Sequence, residues 1–397
     1  MNNFVFISPN FPENYWRFCR ELKNNGFNVL GIGDCEYFEL SNELRASLTE
    51  YYKVSSLESY DEVYRAVAFF TFRYGKIDWL ESNNEYWLEQ DARLRTDFNI
   101  TSGFKTEDIT KVKYKSEMKP YYKKAGVKVA RYCIADDIKT CKKFIAGVGY
   151  PVIVKPDNGV GANDTHKISN DGDLERFFET KLPVSYIMEE YIQAEVNSYD
   201  AVVNSNGEPI FETGNVTPLS LMDVVTENGD SLFYILNKPF EDVRDAGRRV
   251  LKAFQVRSRF VHFEFFRLTC DQPIGKKGEV VALEVNMRPS GGISPDMMNF
   301  ANSTDVYKIW ADMIAFDKTD LSCGEKFYCA YAGRRDGRHY TYREQDIRDK
   351  FYKNLKIVGR VPRALSGAMG DTMYIANFKT KAELDDFMAE MIEERKE

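Results

Sequence analysis

The chain has 397 residues, a formal charge of −7 and 43% hydrophobic residues. It is too long for one small core and fits two or three globular domains, while the acidic balance excludes a general nucleic-acid binder with a basic face. Seven cysteines are scattered without a C-x-x-C pair, and the first residues have neither a basic region nor a long apolar run; the expectation is a reduced, cytoplasmic protein without zinc, disulfides, signal peptide or membrane span.

Phe4 to Ile7 is a short apolar run closed by Ser8-Pro9-Asn10, which reads as a buried strand. A helical stripe follows from Glu13 to Asn25, and Gly26 ends it. Strands are expected at 27–32, 51–54 and 77–80 and a helix at 60–74, so residues 1–105 form a small α/β domain with a mainly parallel sheet. Ligands of such sheets sit beyond the carboxyl ends of strands. Those ends offer Gly31-x-Gly33, which is only a fragment of a dinucleotide fingerprint, and Glu85, which is either a substrate contact or an exposed loop carboxylate.

The stretch from Thr101 to Lys124 carries seven lysines, most of them expected on a solvated helix face. A strand at 129–134 and a helix at 135–148 lead to Tyr150-Pro-Val-Ile-Val-Lys155, another strand with a lysine at its end. The loop after it holds Gly159, Gly161 and Ala162, small residues that let backbone N–H groups turn toward an anion. Tyr186 to Gln193 is a strand running into a turn, with Glu189 and Glu190 in it and Glu195 just beyond. Further antiparallel strands are expected at 198–203, 209–213 and 233–236, then a helix at 240–254.

The richest stretch runs from Val261 to Gly292. Val261, Phe263 and Phe265 alternate with His262, Glu264 and Phe266, and Val281, Leu283, Val285 and Met287 alternate with Glu284, Asn286 and Arg288. Residues two apart in a strand share a face, and the turn-rich connector Asp271 to Gly278 suggests an antiparallel pair with Glu264 and Glu284 on one polar face. Facing carboxylates repel unless a cation lies between them. Mg²⁺ suits that place, with Asn286 adding an amide oxygen and Arg288 a fork for phosphate oxygens. A helix follows at 305–316, and residues 321–397 read as a separate α+β lobe. In that lobe Arg334, Arg335 and Arg338 either guide an anionic substrate or decorate a solvated hairpin tip.

These motifs, in this order, resemble the ATP-grasp superfamily, in its carboxylate–amine ligase and carbamoyl-phosphate-synthase-like branch, over roughly Lys113 to Phe316. The resemblance implies an N-terminal parallel α/β domain (1–105), a two-lobed nucleotide- and metal-binding domain with antiparallel sheets (106–320) and the small C-terminal lobe (321–397). It implies ATP held by Lys115 (with Lys113 as the fallback), Lys155, Gly159, Gly161 and Ala162, with Glu189, Glu190 and Ile192 near adenine. Glu264, Glu284 and Asn286 match the ligands of two Mg²⁺ (or Mn²⁺) ions, and Arg288, with Lys155, the catalytic charges at the γ-phosphate. Glu195 stands one position early for the ribose contact, with Val196 in its expected place. The implied reaction converts a small carboxylate to an acyl phosphate that an amine attacks, releasing ADP and phosphate; amino acids are candidate substrates, and a homodimer is expected from the likeness. A kinase-type phosphotransferase, a bicarbonate-activating biotin-carboxylase-like enzyme and a nucleotide-binding regulator are the alternatives.

Overall fold

The computed structural model describes residues 2–159, 164–218 and 228–395. The alternating N-terminal pattern gives strands β1 (Asn3–Ile7), β2 (Asn28–Gly33), β3 (Glu50–Lys53) and β4 (Trp79–Glu81), all parallel, in the order β3-β2-β1-β4. One face of this sheet packs on helix α1 (Trp16–Asn24). Phe4, Phe6 and Phe18 there meet the edge of Trp310, whose ring centroid lies 5.0 Å from that of Phe18. Trp310 belongs to the apolar helix Val306–Phe316, so the sheet and the end of the middle region share one core.

The strand expected at 129–134 is two short strands in different sheets. β5 (Lys128–Val129) runs parallel to β15 (Val280–Asn286) at the end of the large sheet, whereas β6 (Tyr132–Ile134) pairs with β9 (Tyr186–Glu190) in a small one. Ala130 and Arg131 are the crossing point. The small sheet is completed by β7 (Val152–Pro156), β8 (His166–Ile168) and β9 (Tyr186–Glu190), in the order β6-β9-β7-β8. Among the described residues the large sheet has ten strands: β5, β10 (Ala194–Val203), β11 (Pro209–Thr213), β12 (Asn215–Thr217), β13 (Ser231–Ile235), β14 (Arg259–Leu268), β15 (Val280–Asn286), β16 (Tyr328–Arg334), β17 (Leu355–Arg360) and β18 (Thr372–Phe378). β16 pairs with β13, so the segment after Leu321 extends this sheet, adding β16 to β18 at one end.

The expected pairing of β14 with β15 is present, with one departure. A bulge at Leu283 sets Glu264 opposite Glu284 but Phe265 opposite Ala282. An extra residue reverses the side-chain alternation beyond it. Ala282, not Leu283, therefore joins Val285 and Met287 in the core under the sheet, and Val281 turns to a separate cluster with Ile192 and Leu268. That core also takes helix α2 (Lys115–Lys124) through Met118 and Tyr122, and helix α3 (Glu241–Phe254) through Val250 and Phe254. α3 lies close to β10 at Gly247, where an added Cβ would fall 2.3 Å from Tyr199 Cγ. Gly247→Ala is expected to cost about 3 kcal/mol through overpacking, read as a lower urea midpoint at unchanged slope.

Candidate active site

Strand alternation builds a polar floor on β10, β14 and β15. One row across the three strands is Ser198, Glu264 and Glu284; the next is Asp200, His262 and Asn286. Directly opposed residues have Cβ atoms about 4.5–5.5 Å apart, so the Glu264 and Glu284 carboxylates face a common volume. Each has a cation beside it. Lys115 Nζ lies 3.2 Å from Glu284 Oε1, and His262 Nε2 lies 3.1 Å from Glu264 Oε1.

His262 is buried, and its Nδ1 is held 2.7 Å from Asp200 Oδ1. Burial alone would discharge the imidazole, but Asp200 and Glu264 outweigh it and carry its pKa up to about 9. The imidazolium thus donates to a carboxylate on each side. Burial pushes the Glu264 carboxyl up in turn, and His262, with Arg288 and Lys155 nearby, holds it below the usual range.

Lys155 and Glu189 meet between the two sheets. Lys155, at the end of β7, puts Nζ 2.7 Å from Glu189 Oε2, and Lys119 donates to Glu189 Oε1 from one helical turn past Lys115. Burial alone would raise the Glu189 pKa, yet the two ammonium groups hold it at about 2. Burial pushes Lys119 below its ordinary value. The glycine loop is tied to the start of α2: Lys115 Nζ donates to the Gly159 carbonyl at 2.9 Å, and Asp157 accepts from Ser116 N at 2.8 Å and Ser116 Oγ at 2.6 Å. Gly161 and Ala162 lie outside the described residues.

Arg288 extends past Asn286, with Nη2 3.4 Å from the Asn286 amide oxygen and Nε 3.8 Å from Glu85 Oε2. Glu85 is a buried carboxylate, not an exposed loop residue, and its Oε2 accepts no hydrogen bond among the described residues. Its other oxygen lies 3.4 Å from Lys113. That contact separates the two lysine candidates: Lys115 stands with Glu284, and Lys113 stands with Glu85.

The structure therefore brings Lys115, Lys155, Glu189, Glu264, Glu284, Asn286 and Arg288 together. It sends other candidates elsewhere. Glu190 alternates away from Glu189 and grips Arg131 at 2.6 to 2.8 Å. Ile192 is packed with Leu268 and Val281, and Glu195 is exposed opposite Arg267. Glu264, Glu284 and the Asn286 amide form an all-oxygen donor set, which fits Mg²⁺ or Mn²⁺. Among the described residues no three His, Cys, Asp or Glu side chains are grouped to hold a metal alone, so a cation here would complete its shell with phosphate and water oxygens.

No family model matches the chain. An L-arginine-specific L-amino acid ligase from Bacillus subtilis is 25% identical over 228 residues, 55% of this chain and 53% of that protein. The chain thus spans about half the length of this curated relative. Among solved structures, an L-amino acid ligase from Bacillus licheniformis matches with a TM-score of 0.72 at 12% identity, over 98% of this chain and 97% of that one. N5-carboxyaminoimidazole synthetase from Staphylococcus aureus, complexed with ADP, matches with a TM-score of 0.70 at 16% identity, over 99% and 97%. The chain has the ATP-grasp fold. In this chain, sequence reasoning missed Lys119, Asp200 and Ser198. Lys119 lies four residues after Lys115, the spacing that shares a helix face. Ser198 and Asp200 alternate with the apolar Tyr199 and Ala201, the signal already used for β14. The lysine-rich run is also less solvated than expected, since Lys113, Lys115 and Lys119 are all buried.

Proposed function

We propose that this chain is an ADP-forming, ATP-dependent ligase that joins a carboxylate to an amine, with amino acids as the substrate class. The observation that carries the proposal is the pair of facing carboxylates, Glu264 and Glu284, with Lys155, Lys115 and Arg288 around them. The names of the L-amino acid ligase relatives support the substrate class.

In the proposed reaction a carboxylate oxygen attacks the γ-phosphorus, the bond to the β-bridging oxygen breaks, and ADP leaves. The amine nitrogen then attacks the acyl carbon, the C–O bond to phosphate breaks, and phosphate departs as the nitrogen loses a proton. Such chemistry needs positioning and charge neutralisation more than a protein nucleophile. Lys115 and Lys155 would hold phosphate oxygens, and the planar Arg288 fork would meet charge developing on the transferring group. Glu264, Glu284 and Asn286 would hold Mg²⁺ or Mn²⁺, two ions by the resemblance, which when bound supply charge neutralisation at the phosphates. Divisions near residues 105 and 320, and a homodimer, belong to the same reading.

The test is phosphate release from MgATP in a panel of amino acids, with hydroxylamine present as a trap. The expected result is release that depends on the added amino acid and a hydroxamate in the products. A panel that never raises phosphate release sinks the ligase reading, and a stable phosphorylated product without free phosphate would make the chain a kinase.

A further inference from the structure

β16 ends at Arg334, and Arg335 follows; the two are only 5% and 4% exposed. An arginine stays charged in a protein, and a buried charge is costly unless another charge offsets it. Seven lysine and arginine residues are buried among the described residues. Five of them have a carboxylate within 4.0 Å: Arg95 and Arg259 at Glu81, Lys113 at Glu85, Lys115 at Glu284 and Lys119 at Glu189. Arg334 and Arg335 have none among the described residues. Their side chains donate to backbone carbonyls instead, those of Met391, Tyr342 and Glu390 for Arg334 and of Gly229, Ser366 and Gly367 for Arg335. Carbonyl dipoles fix a guanidinium in place without pairing its charge, and the buried Asp230 carboxylate nearby, which acts on Arg334 from beyond 4.0 Å, is shared among Arg335 N, Tyr340 and Arg338.

Both residues line a cavity of about 390 Å³. Arg338, Arg343 and Arg395 line it as well, Arg338 paired with Glu394 at 3.1 Å and Asp230 at 3.6 Å and Arg343 with Asp346 at 3.2 Å, and the cavity has two carboxylates of its own, Asp336 and Glu344. These two are already engaged from outside the cavity: Asp336 with Arg360 at 2.6 Å and Glu344 with Arg348 at 2.8 Å. The Tyr340 ring lies against Arg334, with the guanidinium carbon 4.3 Å from the ring centroid. Reading Arg334 and Arg335 as a solvated hairpin tip therefore fails. We propose that this cavity binds a small polyanion bearing phosphate or carboxylate groups, whose charge offsets the two buried guanidinium groups. Arginine forks suit both groups. The site shares no residue with the candidate active site, which lies on β10, β14 and β15.

Calorimetric titration of the full chain, without nucleotide, tests the proposal using inorganic pyrophosphate and, separately, citrate. The expected result is saturable binding of at least one of them, retained in Lys155→Met, which removes the phosphate lysine of the other site. Arg343→Glu, an exposed rim residue, should weaken it by roughly tenfold. The rim variant is chosen because truncating Arg334 strips three carbonyls of their donor and can unfold the sheet end. Binding of pyrophosphate alone identifies phosphate-bearing ligands, and binding of citrate alone identifies carboxylate-bearing ones; either supports the site. Failure of both anions to saturate, loss of binding in Lys155→Met, or unchanged binding in Arg343→Glu overturns it. No turnover is measured, so failure of the ligase reading leaves this result standing.

Discussion

Glu284→Gln will lower the amino-acid-dependent ADP release of the proposed reaction by about a thousandfold and leave the chain folded. Glutamine keeps the size and one carbonyl oxygen of glutamate but removes the negative charge that faces Glu264 across β14 and β15. A hard divalent cation draws most of its affinity from carboxylate charge, and one remaining carboxylate already shared with His262 is a poor substitute. The chain should stay folded but melt at a lower temperature, because the buried Lys115 loses its charge partner while keeping its hydrogen bond to the Gly159 carbonyl. Steady-state ADP release at saturating magnesium, with a thermal melt of the same preparation, checks both halves. A well-folded variant within tenfold of the parent rate would remove Glu284 from the proposed metal site.

The face that carries this argument was legible because strand alternation is a local rule. His262, Glu264, Glu284 and Asn286 could be placed on one side of a hairpin from spacing alone, and their register in the structure agrees. What spacing could not show was the bulge at Leu283. It depends on which residue of β14 meets which residue of β15, and it moved Ala282 into the core in place of Leu283. The break at Ala130 and Arg131 was hidden for the same reason: a run of strand formers does not say that its two halves join different sheets. Burial of charge was the other blind spot. Lys119 reads as a surface residue, and Glu85, Arg334 and Arg335 as either substrate contacts or solvated side chains, yet each is buried once distant segments close around it. Glu190 and Glu195 face other ways: strand alternation turns Glu190 onto Arg131, and Glu195 is exposed.

Glu189→Gln should destabilise the chain by about 3–5 kcal/mol, the cost of leaving buried charge without its partner. Glu189 is buried and receives Lys119 on one oxygen and Lys155 on the other. An amide in its place would face two ammonium groups and leave only the more distant carboxylates, Glu284 for both and Glu264 for Lys155, to offset them. The same contacts set a pH dependence. With the Glu189 pKa lowered from 4.5 to about 2, the folded state holds fewer protons than the unfolded chain between those values. The stabilisation, on the order of 3 kcal/mol, is therefore complete above pH 4.5 and is lost as pH falls toward 2. Urea titrations from pH 7 to 3 should show the gap between parent and Glu189→Gln narrowing on the acid side. Adding Lys119→Met to Glu189→Gln should recover part of the loss, because the second change removes one of the stranded cations. A Glu189→Gln chain within 1 kcal/mol of the parent at pH 7, by the same titration, would show that Glu189 does not neutralise the two lysines between the sheets.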